Sequence, residues 1–308
     1  MPKDDLLKLI GNTPLVELVH LSPKKGVRIF AKLEGQNPGG SIKDRVVSGI
    51  IEQAENRGNL TPGDTIVEAS SGNTAIALAM IAKQKGYKVQ LFIPDRVVPS
   101  IVDMLDLYQA NVVWCESRAG LKYAIEQAQQ ASNANRFYSL SQFSDEVNLS
   151  THYQTTGKEI LDTLPVVDVL VAGIGTGGTI MGGGRRIRES NPNALIVGVE
   201  PQLGDRLQGL CDFSDGFVPP LLDLTQLDRR FLVDSLSAFE AVRMVARLEG
   251  ILPGVSSGAA LVAAFRIAKR IESGNIVVIF PDNGWKYLPA RPWHEMVTSK
   301  ELDNIHWW

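Results

Sequence analysis

VAGIGTGGTIMGGG, residues Val171–Gly184, joins an apolar run to a glycine turn. The run Val166–Val171 reads as a buried strand, and the residues after the turn read as a helix. Gly173-x-Gly175-x-x-Gly178 has the spacing of a dinucleotide-binding turn. The next apolar run, Ala194–Val199, ends in Glu200, roughly where such a fold places the acid that holds a ribose. Strand, glycine turn and helix in this order specify an α/β protein with a parallel sheet. The glycines alone leave open whether the ligand is NAD or another phosphate.

The same alternation extends along the chain. Strands are expected at Val27–Leu33, Thr65–Glu68, Lys88–Ile93, Asn111–Trp114, Phe137–Leu140, Val167–Val171, Leu195–Val199 and Ile276–Phe280. Ile42, Val46, Ile50 and Ala54, spaced by four, mark one face of a helix for which Ser41 is a good N-cap. Further helices are expected at Ala75–Lys85, Gly120–Ala131, Ala238–Leu248 and Gly258–Ile271. The longest irregular stretch, Leu203–Leu227, has the length of a functional loop. A boundary between two sets of α/β units falls near Asp145–Ser150.

The 308 residues suffice for one large or two medium domains, and 44% are apolar. A net charge of -3, with the charges interspersed, gives no basic stripe for nucleic acid. No stretch is long and clean enough for a membrane span, and the first residues lack the pattern of a secretory signal, so a cytoplasmic protein is expected. Cys115 and Cys211 make neither a metal pattern nor a disulfide framework. His20, His152, His294 and His306 show no ligand spacing and read as structural, and no metal site is expected.

Three further junctions carry chemistry. In LEGQNPGGSIKDR, Leu33–Arg45, a Pro-Gly-Gly turn leads into a helix with Lys43 in its first turn. A cation is disfavoured there, and the same field favours the neutral amine, the form that makes a Schiff base. An exposed lysine beside Asp44 is the alternative. In EASSGNTAIALAMIA a strand gives way to Ser70-Ser71-Gly72-Asn73-Thr74 and an apolar helix. Its hydroxyls, amide and N–H groups suit a carboxylate, and one serine would suffice for capping alone. LPGVSSGAALVAA and FPDNGWKYL both look like active-site edges of an α/β sheet.

Jointly these pieces resemble the cysteine synthase family, pyridoxal-phosphate enzymes of the tryptophan synthase β type. The matching segments are IGNTPLVEL (Ile10–Leu18), NPGGSIKDR (Asn37–Arg45), SSGNT (Ser70–Thr74), GTGGT (Gly175–Thr179), GVEP (Gly198–Pro201) and GVSSGAA (Gly254–Ala260). They occur in the family's order and span almost the whole chain. DGFVPPLLD, GWKYL and the aromatic tail Asn304–Trp308 are similar to the cysteine synthase B branch, whose members use O-phosphoserine and a sulfur-carrier protein.

The resemblance implies a fold-type II architecture: two three-layer α/β domains with mostly parallel sheets and the active site in the cleft between them. Residues 36–148 would form a smaller mobile domain, and 1–35 plus 149–308 a larger one. Lys43 would form the internal aldimine with pyridoxal 5'-phosphate, and, once freed, act as general base for the substrate's α-proton. Gly175, Thr176, Gly177, Gly178 and Thr179 would hold the cofactor phosphate. Asn73 would bond the ring hydroxyl and Ser256 the pyridine nitrogen. Ser70, Ser71, Asn73, Thr74 and Gln142 would hold the amino-acid substrate. The implied reaction is β-replacement on O-acetyl-L-serine or O-phospho-L-serine through an aminoacrylate, with sulfur addition giving L-cysteine. A synthase of another β-substituted alanine, such as cystathionine or 2,3-diaminopropionate, and a β-eliminating lyase are alternatives. An NAD-dependent dehydrogenase would leave Lys43 and Ser70–Thr74 unexplained, and a non-catalytic binding module would leave Lys43 unexplained. A homodimer is expected, with a sulfur-carrier protein as a further partner.

The chain departs from the family in four places. The flap, usually Ser-x-Glu-Arg-Arg, is Val98-Pro99-Ser100-Ile101-Val102, and its Leu-Gly-Ala-like end is Tyr108-Gln109-Ala110. Ala75 replaces the glycine after Thr74. Cys211 stands where the phosphoserine-using branch has an arginine, and a neutral thiol cannot make that bidentate phosphate contact. Arg206 lies near enough in sequence to substitute. Cys211 reads as a packed neutral thiol, and the tail as packing against its own domain or a dimer partner, with shielding of the cleft as the sharper alternative.

Overall fold

The computed structural model describes residues 5–290 except 71, 96, 117–119, 206, 212, 214 and 215. Ser71, Arg206, His294, His306 and the tail Asn304–Trp308 therefore lie outside the described residues. The described strands fall into two sheets, as the alternation of patterns predicts.

The larger sheet opens with a short strand at Leu15–Glu17 (β1) and Val27–Leu33 (β2). The chain then leaves through a helix at Lys43–Asn56 (α1) and builds the smaller sheet. Thr65–Ala69 (β3), the helix Asn73–Lys85 (α2), Lys88–Pro94 (β4), the helix Pro99–Leu107 (α3), Asn111–Cys115 (β5), the helix Gly120–Asn135 (α4) and Tyr138–Ser139 (β6) follow. The four strands lie parallel in the order β5-β4-β3-β6. The chain returns through Glu146–His152 (α5), a π-helical turn at Tyr153–Gly157 and Lys158–Thr163 (α6). Asp145 Oδ1 caps α5 by accepting from Val147 N–H at 2.9 Å, so the expected boundary coincides with the start of a helix. This helix packs against α1 on one side and the next helix, Gly178–Ser190 (α7), on the other.

Val169–Gly173 (β7), α7, Leu195–Pro201 (β8), Arg229–Val233 (β9), the helices Ser235–Glu249 (α8) and Val255–Ala268 (α9), and Gly274–Phe280 (β10) complete the larger sheet. Its order is β1-β2-β10-β7-β8-β9, parallel throughout except for β1. β7, β8 and β10 are buried along nearly their whole length, as strands covered by helices on both faces must be. α2 and α9 are buried almost all round; Ile76, Leu78 and Ile81 are each 0% exposed. Each such side chain contributes about 1.5–3 kcal/mol relative to leaving it in water.

Both sheets reverse their strand order once. In the smaller one β4 and β5 extend to one side of β3 and β6 returns to the other. In the larger one β8 and β9 extend from β7, and β10 returns to its far side. Open α/β sheets bind ligands at the carboxyl ends of strands flanking such reversals. Here those ends carry Ser70–Thr74 after β3, Gln142 after β6, Gly175–Thr179 after β7, and Asp282 after β10.

Two strands escape the sequence patterns. β1 has three half-buried residues, too few for a period. β9 begins with two exposed arginines, which suits an edge and hides a strand signal. β6 is shorter than expected, two residues paired only with β3. Among the described residues no helix is long and apolar enough to cross a membrane, and no cluster of His, Cys, Asp or Glu could hold a metal.

Candidate active site

Lys43 is the first residue of α1. Its N–H donates to Ser41 Oγ at 3.2 Å, and the preceding Ile42 N–H donates to Pro281 O at 2.8 Å. Val46, Val47, Ile50, Ile51 and Ala54 then fix the helix by their burial. Lys43 is half-buried, and among the described residues its ammonium has no hydrogen-bond partner. Desolvation lowers its pKa to about 8, against the opposing pull of the Glu68 carboxylate. Burial is the leading cause, and it acts in the same direction as the helix field expected from the sequence. Glu68 is 5% exposed; its Oε1 accepts from Ala69 N–H at 2.8 Å and its Oε2 from Gln142 N–H at 3.3 Å. Burial raises its carboxyl to about 7.

Two residues beyond Lys43, Arg45 anchors the helix in a buried ion network. Its guanidinium donates to both oxygens of Glu34, at 2.6 and 2.9 Å, and to both of Glu159, at 2.6 and 2.7 Å. Lys32 Nζ reaches Glu159 Oε2 at 2.6 Å. Arg45 leads the groups that hold the Glu159 carboxyl down to about 2, against the cost of its burial. One network thus ties β2, α1 and α6 directly behind Lys43.

The Ser70–Thr74 turn presents side-chain groups. Ser70 Oγ accepts from Gly72 N–H at 3.3 Å. Thr74 Oγ1 donates to Gln142 Oε1 at 2.7 Å. Asn73 Nδ2 donates to Asp282 Oδ2 at 2.8 Å, and Lys286 Nζ donates to Asn73 Oδ1. From the loop after β8, the 5%-exposed Gln208 brings Nε2 within 3.3 Å of where a Gly72 side chain would begin.

The Gly175–Thr179 turn presents backbone. Gly177 has φ +88°, the left-handed region that favours glycine. A Cβ on Gly178 would lie 1.9 Å from Asn148 Oδ1. The first-turn N–H groups of α7 lack carbonyl partners in their own helix and face an anion well. Asn148 Nδ2 donates to Gln142 O at 2.8 Å and to Thr176 Oγ1 at 2.9 Å. A continuous line of hydrogen bonds therefore runs Thr74, Gln142, Asn148, Thr176, joining the two turns. Thr179 Oγ1 meets His152 Nε2 at 3.2 Å, and His152 Nδ1 meets Thr156 Oγ1 at 2.9 Å. Burial, helped by the charges of Lys43 and Arg45, keeps His152 well below the usual histidine range and neutral.

Ser256 is buried in the first turn of α9. The Gly254 N–H just before it donates to Asp282 O at 3.0 Å, placing Ser256 on the rim shared with Asn73. Glu200, the candidate ribose acid, is ion-paired with Arg230 at 3.3 Å. Cys211 is buried, with its Sγ 3.9 Å from Phe217 O. In the apolar flap Val98, Ile101 and Leu105 pack inward, and Gln109 takes the left-handed φ of +59° where the family's glycine would sit.

The sequence reading did not single out Glu68, Asn148, Asp282, Lys286 or Gln208. Glu68 had a signal, an acid inside the apolar run TIVEA. Asp282 and Lys286 lay in FPDNGWKYL, recognised as an edge without a named residue. Asn148 becomes visible only when α5 packs against α7.

The glycine cradle, the threonine hydroxyls and the neutral histidine fit a phosphate held by N–H and O–H donors. The half-buried amine fits an aldehyde. A family model described as "Pyridoxal-phosphate dependent enzyme" matches residues 6–282. The chain is 38% identical to a cysteine synthase of Staphylococcus aureus over 297 residues, 93% of this chain and 96% of that one. It is 39% identical to a cysteine synthase B of Pseudomonas aeruginosa over 282 residues, 91% and 94% of the two chains. Its structure is similar to that of an O-ureido-L-serine synthase, with TM-score 0.91 and 32% identity over 98% of this chain and 99% of that one.

Proposed function

Since the chain belongs to the pyridoxal-phosphate-dependent enzymes of the cysteine synthase family, we propose that it replaces the β-substituent of an activated L-serine with sulfur, giving L-cysteine. The observation that carries this reading is Lys43, a half-buried amine lowered to about 8 within the field of Glu68, whose carboxylate accepts from Gln142 N–H of the Thr74 line.

When bound, pyridoxal phosphate acts as an electron sink that makes the substrate's α-proton acidic and lets a β leaving group depart. Gly175–Thr179 would hold its phosphate, Asn73 its ring hydroxyl and Ser256 its pyridine nitrogen. Lys43 would hold it covalently and, when released, take the proton from the substrate α-carbon; an amine near 8 is matched to that task. Ser70, Ser71, Thr74 and Gln142 would orient the carboxylate. Ser256 offers the pyridine nitrogen a hydroxyl rather than a carboxylate, which keeps charge from accumulating in the ring. Proton loss at the α-carbon would then run together with departure of the β group.

Cys211, a buried thiol where the phosphoserine-using branch has an arginine, supports O-acetyl-L-serine over O-phospho-L-serine as donor. The separate smaller sheet, carrying Thr74 and Gln142, supports a smaller unit of residues 36–148 that closes on the carboxylate. A homodimer and a sulfur-carrier protein are further parts of the proposal. Light scattering measures the first. Turnover with free sulfide, compared with turnover with a thiocarboxylate carrier, measures the second.

The test is spectroscopic. The protein reconstituted with pyridoxal phosphate is expected to be yellow, with a band that shifts on adding O-acetyl-L-serine, and Lys43→Ala should remove the unshifted band. A band that neither serine donor moves would end the β-replacement reading. A shift with the phosphate donor alone would overturn the choice of donor. A screen against sulfide, thiosulfate and small amines identifies the nucleophile.

A further inference from the structure

A single side chain from the end of the larger sheet reaches both turns that surround Lys43. After β10 the chain forms a 3-10 helix at Gly284–Ala290. From it Lys286 extends inward, its side chain only 10% exposed. Its Nζ donates to Asn73 Oδ1 and to Gly40 O at 3.3 Å, three residues before Lys43, and lies 3.4 Å from Asp282 Oδ2. Its own carbonyl accepts from Ser100 Oγ at 2.8 Å, on the first turn of α3. Asp282 in turn accepts from Asn73 Nδ2 at 2.8 Å and from the Tyr287 hydroxyl at 2.5 Å.

An asparagine amide has two nearly equivalent faces, and which one meets a ligand depends on its partners. An ammonium only donates, so it takes the amide oxygen. A carboxylate only accepts, so it takes one amide hydrogen. Lys286 and Asp282 together leave Asn73 a single orientation, its amide nitrogen facing Asp282 and the Tyr287 hydroxyl. A cation on the oxygen also polarises the amide and strengthens its N–H donors.

We propose that Lys286 is a positioning residue which acts through Asn73, orienting and polarising its amide so that the N–H not held by Asp282 turns from the Tyr287 hydroxyl to an anionic phenolate oxygen. The inference rests on the assignment of pyridoxal phosphate to this site and on Asn73 facing its ring oxygen. Lys286 is held by protein groups alone, Asn73, Gly40 and Asp282, and would act on the ring through Asn73. Lys286→Met keeps the length and loses the charge, while Lys286→Arg keeps a donor.

The experiment uses full-length protein with pyridoxal phosphate and three readouts. These are equilibrium cofactor affinity, position and pH dependence of the visible band, and thermal unfolding of the cofactor-free form. Lys286→Met should weaken the cofactor about tenfold, the loss of one charge-assisted hydrogen bond's worth of order. It should also move the visible band; because Asp282 loses its cation the cofactor-free form should unfold at a lower temperature, so affinity and band are read on protein still folded at the assay temperature. Lys286→Arg should recover most of both. In an Asn73→Ala background the Lys286→Met change should add almost nothing, since it would have nothing left to act through. Full additivity of the two changes would overturn the proposal, as would a Lys286→Met protein with wild-type band and affinity. A wild-type protein that forms no visible band would overturn the cofactor reading instead, so the two failures are distinguishable.

Discussion

Two turns at strand ends open two helices in this protein, and they prepare for a ligand by opposite means. The Ser70–Thr74 segment opens α2 with side chains whose described members have partners: Ser70 the Gly72 N–H, Thr74 Gln142, and Asn73 Asp282 and Lys286. Gly175–Thr179 opens α7 with bare backbone, one glycine at φ +88° and another pressed against Asn148. Side-chain donors discriminate among ligands by position and lose one bond when one is removed. Backbone donors suit a phosphate that stays, and no substitution other than proline deletes one. Asn73 apart, the side-chain turn would therefore serve the exchanging substrate and the backbone turn the phosphate of the resident cofactor. The line from Thr74 to Thr176 keeps the two in register.

The sharpest way to break this contrast is to put a side chain where the backbone turn has none. In Gly178→Ala the new Cβ would lie 1.9 Å from Asn148 Oδ1, closer than atoms approach. Asn148 must move, which costs its bonds to Thr176 and Gln142 and tilts the N–H groups of the cradle. Two hydrogen bonds at about 1–1.5 kcal/mol each correspond to roughly a hundredfold loss in cofactor affinity. Equilibrium dialysis of pyridoxal phosphate measures it. A variant that keeps wild-type affinity would show that the cradle is not where the phosphate sits.

Both turns were visible in the sequence because each is a local pattern: an apolar run, small or polar residues, another apolar run. The parallel sheets and most boundaries followed from the same periodicity, and β2 has the expected ends. What sequence could not show depends on meeting at a distance. Asp282 reaches Asn73 across 209 positions and Arg45 reaches Glu159 across 114. Charged residues in a linear pattern read as solvated, yet Lys32, Glu34 and Arg45 are each at most 2% exposed. Only the assembled fold provides partners that make their burial tolerable. The dinucleotide pattern of Gly173–Gly178 arises for the same reason: strand, turn and helix are all present locally, while the pairing of Glu200 with Arg230 depends on β9.

A milder change tests the other turn. Thr74→Val removes a hydroxyl that donates to Gln142 Oε1 and leaves that buried oxygen unpaired. The KM for the serine donor should rise roughly tenfold, by the same accounting, while cofactor affinity stays within about twofold. Steady-state kinetics and dialysis on one preparation separate the two. Equal losses in both would erase the division of labour between the turns.

The smallest expected effect concerns the group between the turns. Lys43 needs its neutral amine both to take up an aldehyde and to accept a proton, so uptake and turnover should rise with pH toward a plateau above about 8. Glu68 opposes that by favouring the charged amine. Its own carboxyl, raised to about 7 by burial, ionises just below the range where Lys43 loses its proton. Glu68→Gln removes the negative charge, and the Lys43 pKa must then fall. The rate of pyridoxal phosphate uptake at pH 7 should increase, a few-fold at most, and the midpoint of its pH profile should move to lower pH. The sign is the informative part. Loss of a buried hydrogen-bond partner alone would slow uptake at every pH, whereas loss of the charge moves the profile. An unmoved midpoint would mean that Glu68 serves only to hold Ala69 and Gln142, and that the smaller sheet contributes geometry but no electrostatics to the lysine.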